Sequence, residues 1–211
     1  MLIEVYQDTA CPWCRIGKRH LELALERWQG EPVEVRYRAF LLNPNIPPEG
    51  YDFYPYMRAK GGGRVPVEQF FAAPRERGAL VGLAFHFEKI TRAPNTLLSH
   101  RLIALTLEEK KKDIVDAVFA AYFEHGLDIG DVGTLVDIAA AHGLEGETVR
   151  AALIGDAERD RVLAEAQEAH ALDISGVPFF VFDHRYGLSG AQPVEIILEV
   201  MHKVIEAKQG V

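Results

Sequence analysis

Polar and apolar residues alternate at the start of the chain, and the alternation returns after one segment of helical spacing. Leu2 to Tyr6 alternate, Cys11 to Trp28 carry apolar side chains on one broad helical face, and Val33 to Phe40 alternate again. Gly30 is suited to follow the end of the helix. The pattern predicts a strand, a helix and a second strand, which form a βαβ unit.

Both periodicities break from Leu42 to about Gly63, where four prolines and a glycine run occur. We expect an irregular passage there. A block of predicted helices follows, with Asn95, Asp113 and Asp131 as candidate N-caps. These helices cover Pro66 to Leu80, Asn95 to about Leu107, Asp113 to His125, Val132 to His142, Glu147 to Ile154, and Asp156 to Leu172.

Strand periodicity returns near the end of the chain. Val177 to Asp183 is rich in β-formers, Arg185 to Ser189 is a candidate partner strand, and Pro193 to Ala207 is an amphipathic helix. The order is therefore βαβ, a helical block, then ββα. We predict an α/β protein with a sheet domain formed by residues 1–42 and 174–211, interrupted by a helical insertion domain of residues 43–173.

Composition and charge exclude several classes of protein. The 211 residues carry a formal net charge of −8, and the longest basic run is Lys110 to Lys112, so we expect no nucleic-acid partner. No apolar run approaches about twenty residues, so we expect no membrane span. The N-terminus lacks the pattern of a signal peptide, and the expected location is the cytoplasm.

The two cysteines of the chain, Cys11 and Cys14, lie at the predicted start of the first helix. This spacing places their side chains on one helical face about 5–6 Å apart, so a disulfide between them can close and open with little backbone movement. The helix start favours a negatively charged sulfur at Cys11. Pro12 suits the first turn, Trp13 offers an apolar surface, and Cys14 is expected to be the more shielded thiol.

Other roles for these cysteines are weaker. Zinc would need two further ligands, which the histidines do not offer at paired spacing, so we expect no metal. A structural disulfide is disfavoured in a reducing compartment and would close too short a loop to add much stability. Two coincidental buried thiols remain an alternative. The motif Cys-Pro-Trp-Cys at a helix start favours redox chemistry.

Pro178 stands at the entry of a predicted strand, where a proline normally removes a hydrogen bond of the sheet. A cis Val177–Pro178 bond would bring this loop against the Cys11 helix and leave the Val177 backbone free to pair with an extended peptide. A trans proline at a simple strand start is the alternative. The residues alone leave both open.

Five segments resemble the DsbA family of the thioredoxin superfamily, specifically its FrnE-type cytoplasmic branch. They are DTACPWCRIGKRHLELAL, RAFLLNPNIPPEG, APNTLLSHRLIAL, FAAYFEHGLDIGD and GVPFFVFDHRYGLSGAQP. The resemblance implies a thioredoxin fold with a helical insertion, Cys11 as nucleophile, Cys14 as resolving thiol and Pro178 as a cis-proline. Pro12, Trp13, Val177 and Pro178 become the expected substrate-binding residues.

Two departures from the family limit what can be transferred. Trp13 stands where the strongly oxidising periplasmic relatives have histidine, which removes one stabiliser of the thiolate and implies a weaker oxidant. Some FrnE-type proteins carry a second cysteine pair, whereas this sequence has only Cys11 and Cys14. We therefore expect no electron relay through a second pair.

The resemblance implies a thiol–disulfide oxidoreductase or isomerase that acts on disulfide- or thiol-containing proteins or small molecules without a cofactor. One alternative is a glutathione-dependent enzyme similar to kappa-class glutathione transferases and 2-hydroxychromene-2-carboxylate isomerases, which makes glutathione a candidate partner. Those relatives usually have a serine where Cys11 stands. A second alternative is a redox-gated binding protein or holdase.

Charged and aromatic residues near the thiols have simpler interpretations. Arg15 and Lys18 could add positive potential, but a solvated helix face is the favoured reading. An aromatic-rich stretch begins the insertion, and its residues are either core or the wall of a groove near the thiols. They are Tyr51, Phe53, Tyr54, Tyr56, Phe70 and Phe71.

Overall fold

A computed structural model describes residues 1–63 and 66–209. The predicted domain ranges also include residues 64, 65, 210 and 211, which lie outside this description. The strands are β1 Leu2–Gln7, β2 Glu34–Ala39, β3 Tyr51–Asp52, β4 Arg92–Ala93, β5 Phe179–Phe182 and β6 Tyr186–Ser189. The α-helices are α1 Pro12–Arg27, α2 Phe53–Lys60, α3 Val67–Ala79, α4 Leu97–Leu105, α5 Glu108–Phe123, α6 Val132–Ala141, α7 Gly146–Ile154, α8 Arg159–Ala171 and α9 Val194–Gln209. None of the helices in these two ranges has the length and apolar character needed to cross a membrane.

The main sheet has the order β2-β1-β5-β6. β1 and β2 are parallel, with Val5 opposite Tyr37, as a βαβ unit requires. β5 runs antiparallel to both β1 and β6, and Val5 also lies opposite Phe180. The strands and the helix order predicted at both ends of the chain are therefore confirmed. α1 connects the central strand β1 to the edge strand β2.

Both faces of the sheet are covered by helices. α1 and α9 cover one face, where the buried residues are Ile3, Val5, Leu21, Ala24, Phe180, Phe182, Ile197, Met201 and Val204. α8 covers the other face, where Tyr6 and Phe40 pack with Ala169 and Ile174. The strands thus bury apolar side chains on both sides, and the start of α1 is fixed against a rigid sheet.

The helical insertion has its own core, and the thiols belong to it. Cys11, Cys14 and Ile16 of α1 lie in one apolar cluster with residues of the insertion. The insertion members of this cluster include Phe53, Phe85, Phe87, Ile90, Leu102, Val118, Phe119 and Phe123. The reactive end of α1 is therefore covered by the insertion rather than open to solvent.

Three predictions about the insertion were wrong. Asn95 is not the N-cap of α4, since Thr96 occupies that position. The passage from Leu42 to Gly63 contains α2. Pro55 is compatible with this helix because it lies in the first turn, where a backbone N–H has no partner within the helix. α5 begins at Glu108 instead of Asp113, so Asp113 lies inside the helix and caps nothing. Asp131 does cap α6, since its carboxylate accepts a hydrogen bond from the Thr134 N–H.

The predicted α/β architecture, with a helical block between the βαβ and ββα halves, is confirmed. The division at residues 42 and 174 stays a prediction.

Candidate active site

Cys11 lies at the N-cap of α1, and Pro12 is the first helical residue. The backbone of Cys11 is extended, and its N–H donates to the Asp8 carbonyl oxygen at 3.0 Å. The Cys14 N–H donates to the Cys11 carbonyl oxygen at 3.1 Å, which closes the first turn. Proline fits here because its fixed backbone angle suits a helix start and its missing N–H would have had no partner. The strand-to-helix junction therefore presents the sulfur of Cys11 at the positive end of α1.

Both thiols are reduced and buried, Cys11 with 5% and Cys14 with 0% of its surface exposed. They lie close together. Burial raises the pKa of the Cys14 thiol well above its ordinary value, and the neighbouring Cys11 raises it further. The prediction that Cys14 is the more shielded thiol is confirmed.

The loop before β5 contacts the Cys11 sulfur. The Cys11 thiol donates to the Val177 carbonyl oxygen at 3.7 Å, and the Val177–Pro178 peptide bond is cis, the isomer that the resemblance implies. On the other side of the loop, the Gly190 N–H donates to the Pro178 carbonyl oxygen at 2.8 Å. The structure thus brings Cys11 and Cys14 together with the Val177–Pro178 loop, which lies 163 or more residues further along the chain.

Sequence analysis missed Asp8, a buried carboxylate just ahead of the thiols. Its oxygens accept hydrogen bonds from the Ala10 N–H at 2.8 Å, the Leu42 N–H at 2.7 Å and the Thr96 hydroxyl at 3.4 Å. Burial raises the pKa of Asp8 from 3.8 to about 6, although these three hydrogen bonds lower it. An acidic residue directly after a buried strand and before a helix start was the available signal.

A cavity of about 230 Å³ lies beside Cys11. Cys11, Pro12 and Trp13 form part of its wall, whereas Val177 and Pro178 do not line it. Trp13 is 38% exposed. The rest of the wall is mainly aromatic and aliphatic and includes Ile46, Phe53, Tyr56, Met57, Phe71, Phe87, Ile90, Tyr122 and Phe123, with Asp8, Asn43, Lys60 and Thr96 as polar members.

Both interpretations of the aromatic stretch are correct, each for some of its residues. Phe53, Tyr56 and Phe71 line the cavity, and Phe53 also belongs to the insertion core. The other three side chains, Tyr51, Tyr54 and Phe70, are exposed. The stretch is therefore partly core, partly cavity wall and partly surface.

The prediction that Arg15 and Lys18 form a solvated helix face was wrong. Lys18 is 1% exposed, and its ammonium group donates to Glu22 and to Asp116 of α5, both at 2.6 Å. Arg15 is also buried and pairs with Glu124 at the end of α5. Burial raises the pKa of Asp116, although Lys18 acts to lower it. These ion pairs join the helix that carries the thiols to the insertion.

Proteins of known structure that are similar to this one include the following three. A probable DsbA oxidoreductase from Streptomyces coelicolor is 34% identical, with 96% of this chain and 89% of that chain covered and a TM-score of 0.88. Cytosolic disulfide reductase DsbM from Pseudomonas aeruginosa, solved with GSH, is 20% identical, with 96% and 100% covered and a TM-score of 0.67. A 2-hydroxychromene-2-carboxylate isomerase is 14% identical, with 100% and 98% covered and a TM-score of 0.73. The last two likenesses show the fold alone.

The family model of the DSBA-like thioredoxin domain matches residues 2–202, which is nearly the whole chain. This match agrees with the sheet order, with the helices on both faces and with the thiols at the start of α1. The protein therefore belongs to the family of DsbA-like thioredoxin domains.

Proposed function

We propose that the protein is a thiol–disulfide oxidoreductase in which Cys11 is the attacking thiol and Cys14 is the resolving thiol. The observation that carries the proposal is the position of the Cys11 sulfur at the N-cap of α1, beside Cys14 and 3.7 Å from the Val177 carbonyl oxygen. A helix start stabilises a thiolate, which is the reactive form of cysteine. Membership of the DsbA-like family supports the same class of reaction.

In the reductive direction, the Cys11 thiolate attacks one sulfur of a substrate disulfide. A bond forms between the enzyme and that sulfur, the substrate disulfide bond breaks, and the departing thiolate takes a proton from water. Cys14 then loses its proton and attacks the Cys11 sulfur, which releases the second substrate thiolate. The substrate gains two electrons, and the enzyme ends with a Cys11–Cys14 disulfide. The oxidised enzyme runs the same steps in reverse.

Four residues are proposed to bind the substrate during these steps. Pro12 and Trp13 flank Cys11 on the side of the cavity, and Trp13 is partly exposed beside the buried sulfur. Val177 and Pro178 lie on the side where the Cys11 thiol donates to a backbone carbonyl. An extended substrate segment can pair with the backbone of Val177 by strand addition.

The proposed partners are proteins or small molecules that carry disulfides or thiols, with glutathione as a further candidate. DsbM, which shares the fold, was solved with GSH and is described as cytosolic. This supports glutathione as a candidate and agrees with the cytoplasmic location expected from the sequence.

Reduction of insulin disulfides with dithiothreitol tests the proposal. The wild type is expected to accelerate the reaction, and Cys11→Ser to abolish the acceleration. Incubated with insulin in the absence of dithiothreitol, Cys14→Ser is expected to accumulate a mixed disulfide through Cys11, detectable by mass spectrometry, because the resolving step is lost. Equal activity of the wild type and Cys11→Ser would overturn the proposal.

The reduction potential of the Cys11–Cys14 pair tests the role of Trp13. It can be followed by alkylation of free thiols and mass spectrometry after equilibration in glutathione buffers. We expect a value more negative than about −120 mV, the value for the strongly oxidising DsbA. Trp13→His is expected to shift the potential in the oxidising direction, because an added imidazole stabilises the Cys11 thiolate. An unchanged potential in this variant would contradict that role.

Two assays separate the alternatives. Glutathione-dependent isomerisation of 2-hydroxychromene-2-carboxylate is expected to be absent, because Cys11 and Cys14 are both present for dithiol exchange. Isomerase turnover that survives Cys14→Ser would favour the glutathione-dependent enzyme. A redox-gated binding protein would show no acceleration of insulin reduction at all.

A further inference from the structure

The cavity beside Cys11 is larger than the exchange of sulfur atoms requires. Its volume is about 230 Å³, and the Cys11 side chain forms part of its wall. An engineered cavity of about 150 Å³ in another protein binds benzene. This cavity therefore has room for one aromatic ring and the few atoms that would link the ring to a reacting sulfur.

Aromatic side chains line the cavity in a continuous series. The Phe71 ring stacks on Phe53 at 5.6 Å and on Phe87 at 4.3 Å between ring centroids. Phe87 meets Phe123 edge to face at 5.9 Å. Stacked and edge-to-face contacts are the arrangements that aromatic rings prefer. A ring that enters this cavity therefore meets a wall suited to it on several sides.

Most polar side chains of the wall already have hydrogen-bond partners. The Asp8 carboxylate accepts from Ala10, Leu42 and Thr96. Lys60 donates to the Asn43 side-chain oxygen at 3.0 Å. These groups do not require a polar ligand, so apolar contact is the main interaction left to select the ligand.

The cavity also borders the Cys11 sulfur, which is nearly inaccessible to solvent. Cys11 is only 5% exposed, so a disulfide on the rigid surface of a folded protein approaches it poorly. A small molecule can place its sulfur against Cys11 while its ring fills the cavity. Burial and cavity size together favour a small substrate.

We propose that this cavity binds an aromatic ring carried a few bonds from the reacting sulfur, and that low-molecular-weight arylalkyl disulfides are preferred substrates. The proposal rests on the proposed function. The Cys11 thiolate attacks the sulfur that carries the bound ring, and the other arylalkyl thiolate leaves and takes a proton from water. Cys14 then displaces the ring-bearing thiolate, and dithiothreitol reduces the resulting Cys11–Cys14 disulfide in the assay.

The test compares the disulfides of 2-phenylethanethiol and 2-hydroxyethanethiol, which have similar alkyl leaving groups. The expected ratio of kcat/KM is roughly tenfold to hundredfold in favour of the phenyl compound, because one ring is buried. Met57→Trp fills the cavity and should remove this preference, since Met57 lines it. Phe70→Trp, which adds an indole at an exposed position outside the cavity, should keep the preference.

Two further measurements control for misfolding of the variant and test binding separately from catalysis. Circular dichroism establishes that Met57→Trp is folded, and Met57→Phe provides a milder filling variant. Binding of 2-phenylethanol, which has no sulfur, is followed by NMR with the Cys11→Ser, Cys14→Ser enzyme. Binding that Met57→Trp weakens, combined with a wild type that reduces no disulfide, would support the cavity assignment and reject the proposed function.

Equal kcat/KM for the two disulfides would overturn the cavity proposal and leave the proposed function intact. A third arm uses peptide disulfides with phenylalanine or alanine beside the cysteine. A preference for phenylalanine in the peptides, without a preference for the phenyl group in the small disulfides, would assign the cavity to peptide side chains and overturn the small-molecule assignment.

Discussion

The ring of Pro178 occupies the space in which a side chain of Gly17 would lie. A Cβ atom on Gly17 would be 2.7 Å from Cγ and 3.2 Å from Cβ of Pro178. Gly17 lies in α1, one turn beyond Cys14. The lack of a side chain at Gly17 therefore lets α1 lie directly against the loop whose Val177 carbonyl contacts the Cys11 thiol.

Gly17→Ala is expected to lower both stability and activity. Alanine favours a helix by about 0.5–1 kcal/mol over glycine, but overpacking against a rigid ring costs about 1–3 kcal/mol, so we expect a net loss of about 1–2 kcal/mol. The displaced loop should also move away from Cys11 and slow insulin reduction. Urea unfolding and the insulin assay measure the two effects.

Gly146→Ala is the matched control, since Gly146 begins α7 and the nearest atom to an added Cβ is Val136 Cγ1 at 3.4 Å. That is an ordinary contact, so stability should stay the same or rise slightly. If both alanine variants behaved alike, the close approach of Gly17 and Pro178 would have no energetic consequence.

Local patterns predicted the elements that depend on local sequence. The apolar spacing of α1 and the alternation of β1 and β2 gave bounds within one or two residues of those observed. The redox motif was visible because spacing and helix position are both local features. Contacts between distant segments were not visible: Lys18 pairs with Asp116, 98 residues away, and nothing near Lys18 in the chain indicates that α5 covers it.

The buried carboxyl group of Asp8 should give the protein a pH-dependent loss of stability. The pKa of Asp8 is about 6 in the folded protein against 3.8 ordinarily, so the folded state binds more protons than the unfolded state between about pH 4 and pH 6. This contribution therefore makes the protein less stable as the pH rises through that window. Asp8→Asn removes it, and the stability difference between wild type and variant should change by about 2 kcal/mol from pH 4 to pH 7.

Urea unfolding at several pH values measures this change, and the difference between pH values is the readout. An amide cannot accept all the hydrogen bonds of Asp8, so the absolute stability of the variant also shifts. Asp183→Asn is a control of opposite sign. Burial acts to raise the pKa of Asp183, but hydrogen bonds from Lys208 and the Leu2 N–H lower it, and the net shift is downward. Its removal should take away stability that is gained as the pH rises to the ordinary pKa of 3.8, at the lower edge of the Asp8 window. Parallel curves for Asp8→Asn and wild type would contradict the prediction.

Lys18→Met should destabilise the protein strongly, because it leaves the carboxylates of Glu22 and Asp116 without their buried cation. Losing one partner of a buried ion pair costs about 3–5 kcal/mol; since Asp116 is nearly half exposed, we expect about 2–4 kcal/mol. The free energy of unfolding in urea measures the loss.

Lys112→Met is the matched control, since Lys112 also faces Glu22, at 3.6 Å, but is 60% exposed. It should cost less than about 1 kcal/mol. The double variant Lys18→Met, Asp116→Leu should be more stable than the sum of its single changes implies, with a coupling of about 1–3 kcal/mol. Additive effects would show that Lys18 and Asp116 do not stabilise each other.

The thiol of Cys14 should be unreactive in the folded protein. Burial is the main reason that its pKa is raised, and burial persists in Cys11→Ser, in which Cys14 is the remaining thiol. Because the thiolate is the form that reacts, each unit of raised pKa slows alkylation about tenfold near pH 7. Iodoacetamide should therefore label this variant at least about tenfold more slowly when folded than in concentrated urea, as mass spectrometry can follow. Equal rates in the two states would mean that Cys14 is accessible and ionises freely, and a resolving thiol held protonated until Cys11 has reacted would then be ruled out.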